Sequence, residues 1–185
     1  MTAGPRPLLI VVSGLPGAGK TTLAHRLAGA VGGPAICRDE IKEGMVANAP
    51  GFRPGQDDEL SGQANHVFFG IIRILVDAGV NTVAEAAFQD RRWRPGLEPL
   101  QDRARIRVVH CVVDPELALE RSLRRRAGNQ HRRAHADPTT AEAGAYLDRL
   151  RAFDRIGLPV PLIEADTTDG YRPPLAELAA FATRP

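Results

Sequence analysis

Eight residues near the start of the chain, Gly14-Leu15-Pro16-Gly17-Ala18-Gly19-Lys20-Thr21, carry the G-x-x-x-x-G-K-[ST] spacing. The chemistry this suits is the holding of a polyphosphate. Gly14, Gly17 and Gly19, with Pro16 and Ala18 between them, let the main chain wrap closely around phosphates with several N–H groups turned inward. Lys20 would reach the β- and γ-phosphates, and the Thr21 hydroxyl, with Thr22 beside it, would hold Mg²⁺. The branched apolar run Leu8-Leu9-Ile10-Val11-Val12 comes before the loop, and Leu23, Leu27 and Ala30-Val31 follow at helical spacing. Strand, glycine turn and helix is the context the pattern requires, and the helix adds the positive end of its dipole. A plain glycine turn between a strand and a helix is the alternative. The full pattern with both flanks points to a nucleoside triphosphate, ATP or GTP, bound with Mg²⁺.

What becomes of the phosphate depends on residues elsewhere. Arg38 and Asp39 follow the short apolar run 35–37, at the strand end that faces the ligand crevice of an open parallel sheet. A carboxylate there can take the proton of a hydroxyl as it attacks the γ-phosphate; it can also cap the helix that follows. Arg38 and Lys42 could pair with phosphate or acceptor, or lie on a solvated helix face. Glu85 closes the run 80–84. It could orient a Mg²⁺-bound water, bind the acceptor hydroxyl or replace Asp39 as base; the alternative is a buried acid satisfied by backbone N–H groups. Trp93, among Arg91, Arg92 and Arg94, could stack on an acceptor ring at the rim of the site, or be a packed tryptophan on an exposed basic helix.

Between positions 121 and 133 stand Arg121, Arg124, Arg125, Arg126, Arg132 and Arg133, with no acid among them. Arginines closing over a transferring phosphoryl group would stabilise its charge, and a mobile loop would exclude water. Consecutive helical residues point about 100° apart, so not all can face the nucleotide; Arg124 with Arg132 or Arg133 is the favoured set. A nucleic-acid backbone patch is the alternative, without the aromatic interleaving of a single-strand platform. His110 reads as a packed core residue, and His131 and His135 show no metal-ligand spacing.

These residues need elements to position them. At 185 residues, with 43% apolar and 25% charged side chains, one globular domain is expected over residues 1–185, with a lid at about 127–138. Strands are expected at 7–13, 35–37, 80–84, 106–113 and 159–165. Helices are expected at 19–30, 41–47, 59–79, 90–102 (interrupted near Pro95-Gly96), 114–126, 139–156 and 174–182. Strands alternating with helices make the class α/β with a parallel sheet. Cys37 and Cys111 read as reduced core residues, no apolar run reaches membrane-spanning length and no signal peptide is visible, so a cytoplasmic protein is expected.

Taken together, the chain resembles small P-loop kinases of the polynucleotide kinase and chloramphenicol phosphotransferase type, and more distantly zeta toxins and adenylate-kinase-like enzymes. The resemblance is carried by residues 14–22, Arg38-Asp39-Glu40-Ile41-Lys42, Val83-Ala84-Glu85-Ala86-Ala87-Phe88, the lid ending in Arg132-Arg133-Ala134-His135-Ala136-Asp137, and Asp166-Thr167-Thr168. It implies a five-stranded parallel sheet in the order 2-3-1-4-5, a mobile arginine-rich lid, Asp39 as base, and ATP–Mg²⁺ phosphoryl transfer to a hydroxyl. Polynucleotide kinases carry an arginine three residues beyond that aspartate, where this chain has Lys42, a weaker bidentate clamp. With no partner phosphatase or ligase domain expected, this favours a small-molecule acceptor over nucleic acid. The expected function is transfer of the γ-phosphate of ATP or GTP to a nucleoside, sugar or antibiotic, the last for resistance or self-protection. A 5′-hydroxyl polynucleotide kinase and a nucleotide-dependent switch without acceptor chemistry are the alternatives.

Overall fold

The apolar run behind Pro7 becomes β1 (Leu8–Gly14), and all seven residues are buried. Alternate side chains serve opposite faces: Leu8, Ile10 and Val12 join one apolar cluster, Leu9 and Val11 the other. Burial on both faces is what a parallel strand flanked by helices requires. The computed structural model describes residues 5–55, 58–128, 134–135 and 138–184. After β1 come α1 (Lys20–Val31), β2 (Ala35–Cys37), α2 (Arg38–Ala47), α3 (Glu59–Asp77), β3 (Thr82–Glu85) and α4 (Asp90–Leu97). The chain continues through β4 (Arg105–Val112), α5 (Pro115–Gly128), α6 (Ala143–Arg151), β5 (Leu162–Asp166) and α7 (Leu175–Thr183). The five strands pair in parallel in the order β2-β3-β1-β4-β5, as the resemblance implies.

One face of the sheet is covered by α1 (Leu23, Leu27) and α7 (Leu178, Ala182), with Ala118 of α5 and Leu150 of α6. The other is covered by α3 (Phe68, Ile72, Val76) and α4 (Trp93, Leu97). Helix α3 stops at Gly79, whose φ of 74° lets its N–H reach Val76 O while Val80 N–H reaches Leu75 O. No described helix is long and apolar enough to cross a membrane.

Element boundaries depart from sequence expectation where local chemistry decides. Helix α2 starts at Arg38 rather than 41, placing Asp39 and Glu40 in its first turn, where acids favour the helix dipole. Helix α4 runs unbroken through Pro95-Gly96 to Leu97, followed by a 3₁₀ turn at Glu98–Leu100. Gly96 is required there, since a Cβ would meet the Phe69 ring at 2.1 Å. Strand β5 begins at 162 instead of 159, because Pro159 and Pro161 lack the N–H a ladder needs. Helix α6 ends at Arg151, and the loop beyond brings Ile156 and Leu158 into the second cluster.

The register gathers the chemistry. Val12 and Cys37 both lie opposite Glu85, and Gly14 lies opposite Cys111. The glycine loop, the Arg38-Asp39 pair and Glu85 therefore leave adjacent strand ends on one edge of the sheet.

Candidate active site

The glycine loop is tightly seated. Gly14, Gly17 and Gly19 all have positive φ (136°, 90° and 69°). A Cβ at Gly17 would lie 2.3 Å from the Ala118 carbonyl oxygen, so only glycine lets the loop pass the start of α5. Helix α1 opens at Gly19 with no side-chain cap and no acid in its first turn. Its first N–H groups and dipole are thus left for an anion, as phosphates require. Lys20 is 6% exposed; its Nζ donates to Leu15 O at 2.9 Å and lies 3.8 Å from Glu85 Oε1. Thr21 Oγ1 donates to Glu85 Oε2 at 3.0 Å. A hydroxyl and a carboxylate side by side are hard oxygen donors of the kind Mg²⁺ takes, directly or through water, so the residues fit that ion.

Two of the carboxylates on this cleft, Asp39 and Glu85, sit in environments that pull them apart. Burial pushes the Glu85 carboxyl above its ordinary value, and Asp39 and Glu40 add to this while Lys20 and the Thr21 hydroxyl oppose it. Burial also acts to raise Asp39, but the positive charges of His135, Arg38 and Lys20, with a hydrogen bond from Arg38, outweigh it and hold that carboxyl below its ordinary value. Asp39 nevertheless keeps 44% of its side chain accessible, at a cleft of about 530 Å³ that also contains Lys20, Thr21 and Glu85. An ionised, accessible carboxylate beside a buried one that resists ionisation is the pattern that separates acid–base roles in an active site.

Arg38 is the residue that aims Asp39. Its guanidinium donates to Asn65 Oδ1 (2.8 Å), Ser61 O (3.1 Å) and Asp39 Oδ1 (3.1 Å), and lies over the Phe88 ring. With every arm engaged, it serves as a brace between α2 and α3. Lys42 borders the cleft, but its ammonium is committed to Asp58 Oδ2 at 2.8 Å and is 2% exposed. Asp58 in turn caps α3 by accepting from Ser61 N–H at 2.7 Å. The acceptor-binding expectation for Lys42 thus gives way to a link between α2 and α3.

Trp93 is not at the rim. It is fully buried among Phe68, Phe69 and Phe88, and its Nε1 donates to Ser13 Oγ at 3.2 Å. The aromatic body is drawn into the second apolar cluster because Ser13, just before the glycine loop, offers the one polar atom the indole needs. Arg124 also departs from expectation. It is exposed on α5, paired with Glu120 one turn back, whereas its neighbour Arg125 borders the cleft. The 100° step between helical neighbours decides between them. Arg132 and Arg133 lie outside the described residues, as do 129–131 and 136–137 of the expected lid. Thr22 lines the cleft, Pro16 and Gly17 also border it, and Ala18 is buried beneath the loop.

His135, which the sequence marks only as part of the lid motif of the resemblance, lines the cleft. Its Nε2 lies 2.9 Å from Glu43 Oε1 and its Nδ1 3.9 Å from Asp39 Oδ1, so it joins the segment after α5 to the helix carrying Asp39. Tyr146 and Arg149 of α6, three residues apart, add a wall, with the guanidinium over the phenol ring. His110 is the packed core histidine expected: it is 7% exposed, lies beside Phe153, and burial holds it below its ordinary value. Arg121 braces the Thr167-Thr168 loop by donating to both carbonyl oxygens.

Residues 9–153 match a protein family described as AAA domain. No curated protein matches the sequence. A candidate kinase from Chloroflexus aurantiacus j-10-fl superposes with a TM-score of 0.82 at 23% identity, covering 96% of this chain and 97% of that one. A sugar kinase from Janibacter sp. HTCC2649 gives 0.59 at 22% identity, over 95% and 92% of the two chains. Shikimate kinase from Acinetobacter baumannii, solved with shikimate, gives 0.56 at 20% identity, over 94% and 89%. At these identities the likeness is one of fold.

Proposed function

The chain belongs to the AAA domain family, and we propose that it is a phosphotransferase that moves the γ-phosphate of ATP or GTP to a hydroxyl of a small molecule such as a nucleoside, a sugar or an antibiotic. In this reading the loop amides and Lys20 hold the triphosphate, and Thr21 with Glu85 holds Mg²⁺, which would offset charge on the β- and γ-phosphates when bound. Asp39 Oδ accepts the proton of the acceptor hydroxyl. The freed oxygen forms a bond to the γ-phosphorus as the bond from that phosphorus to the β-bridging oxygen breaks, and the nucleoside diphosphate leaves. Arg125 faces the transferring group from α5.

The observation that carries this reading is the opposed pair of carboxylates: Asp39 held ionised and open to the cleft, Glu85 buried against Lys20 and Thr21. A switch module needs only the second. The sugar and shikimate named for fold relatives support a small acceptor. ATP, Mg²⁺ and reducing conditions make the cytoplasm the fitting compartment for a protein with two unpaired cysteines.

The test is a panel of nucleosides, sugars, polyhydroxylated acids, hydroxyl-bearing antibiotics and 5′-hydroxyl oligonucleotides, each incubated with ATP or GTP and read by mass spectrometry for one added phosphate. A phosphorylated small molecule is the expected product. Phosphorylated oligonucleotide with a steep salt dependence would move the assignment to a polynucleotide kinase. Tight nucleotide binding with no product across the panel would favour the switch.

A further inference from the structure

Beside the cleft, three elements bring one potential ligand each to a single point: His25 from α1, Cys37 from the end of β2, and Glu40 from the first turn of α2. His25 Nε2 lies 2.7 Å from Glu40 Oε1 and 3.8 Å from Cys37 Sγ, and the three donor atoms all fall within 4.8 Å of one another. The phosphoryl transfer proposed above uses none of them. We propose that His25, Cys37 and Glu40 form a binding site for a borderline-soft divalent cation of the zinc class, with water as fourth ligand.

Bond lengths support the fit. A tetrahedral zinc centre with about 2.3 Å to sulfur and about 2.0–2.1 Å to nitrogen or oxygen keeps its donors roughly 3.3–3.6 Å apart. The sulfur–nitrogen separation is already near that figure. The nitrogen–oxygen separation must open by about half an ångström on that geometry, a small rotation for the Glu40 side chain, which is 48% exposed. The mixture of thiol, imidazole and carboxylate suits zinc or cobalt, and is a poor match to Mg²⁺, which takes oxygen donors. Cys37 forms the buried floor, while His25 and Glu40, each about half exposed, form an outer wall a cation can pass. On binding, the Cys37 S–H proton goes to solvent as the sulfur–metal bond forms, with no change of oxidation state. His25 stands one turn beyond Thr21 and Glu40 directly follows Asp39, so an occupied site would tie the helix of the phosphate loop to the helix carrying Asp39.

The test is titration of the 185-residue, nucleotide-free chain with Co²⁺, followed by the near-ultraviolet thiolate-to-cobalt charge-transfer band. This reads metal–sulfur bonding alone, so it succeeds or fails independently of the kinase reading. One Co²⁺ per chain is expected, with the band displaced by Zn²⁺, absent in Cys37→Ser and retained in Cys111→Ala. His25→Gln and Glu40→Gln, at half-exposed positions, should each weaken Co²⁺ binding at least tenfold with an unchanged circular dichroism spectrum. No band in the native chain would overturn the proposal, as would a band that survives Cys37→Ser. Should Cys37→Ser not fold, the two exposed-site variants decide: unchanged Co²⁺ affinity in both overturns the proposal.

Discussion

The two halves of the cleft are built in opposite ways. The half proposed to hold phosphate is one short stretch of chain with three positive-φ glycines, of which Gly14 is pressed against the end of β4 and Gly17 against α5. The acceptor half is assembled from side chains of α2, α4, α5 and α6, brought together from positions as distant as Asp39 and Arg149. The difference suits the ligands proposed for the two halves. A triphosphate is the same in every nucleotide, so fixed amides and one lysine can serve it. An acceptor hydroxyl comes in many settings, and a wall of separate side chains can be changed one residue at a time.

Breaking the acceptor half at its base should cost most. Asp39→Asn removes the proposed proton acceptor and should lower kcat about 10²–10⁴-fold while nucleotide affinity stays near native, read by steady-state kinetics and calorimetry. A near-normal kcat would move the base to Glu85. The pH profile sharpens the choice. Because Asp39 is held below its ordinary value, the acid limb of kcat/KM should lie below the ordinary aspartate value of about 3.9. Glu85, raised by burial, would bring the acid limb above the ordinary glutamate value of about 4.3. The lowered Asp39 value also stabilises the fold: that contribution is complete above the ordinary aspartate value and is lost as pH falls through the folded one.

Breaking the phosphate half should leave a different signature. Lys20→Ala removes the cation from the buried Lys20–Glu85 pair and should lower kcat/KM about 10²–10³-fold, the usual scale for one preorganised electrostatic contact. Unlike Asp39→Asn, it should weaken nucleotide binding as well. If nucleotide affinity survives, the division of labour between the halves is wrong.

The same contrast explains what could be read from sequence. The loop, its strand and its helix are local, so residue spacing alone locates the phosphate half. The nearness of Asp39 and Glu85 was legible because Glu85 closes one apolar run and Asp39 lies two residues beyond another, and strand ends share one edge in a parallel sheet. The three-residue β2 was legible for the same reason. Depth and direction around a helix were not. Trp93 lies in a basic, exposed-looking sequence, and only the aromatic pocket between α3 and α4 makes it core. The run 159–165 is apolar enough to suggest a strand throughout, but its two prolines delay β5 to Leu162. His135 and Tyr146 join the site only through the way α5 and α6 return to α2, and neither spacing nor composition records that return.

Arginine choice on α5 gives a smaller effect. Arg125→Ala should lower kcat about tenfold through lost stabilisation of transferring charge, while Arg124→Ala should change it less than twofold, since an exposed pair with Glu120 contributes little. Equal effects would mean that the helix face seen here is not the one presented during transfer.

Trp93 offers the smallest change in activity and a clean separation of roles. Its ring centroid lies 5.4–5.9 Å from those of Phe68, Phe69 and Phe88, and its Nε1–H is satisfied by Ser13 Oγ. Trp93→Phe keeps an aromatic body but removes that hydrogen bond and leaves a small void. The expected loss is about 1–3 kcal/mol of stability by chemical denaturation. Acceptor KM should be unchanged, because the indole touches core and not cleft. A rise in acceptor KM without loss of stability would return Trp93 to the rim. Ser13 immediately precedes Gly14, so a change confined to nucleotide affinity would have another meaning: the aromatic cluster would then be setting the position of the phosphate loop from beneath, through the single bond between the indole and the serine hydroxyl.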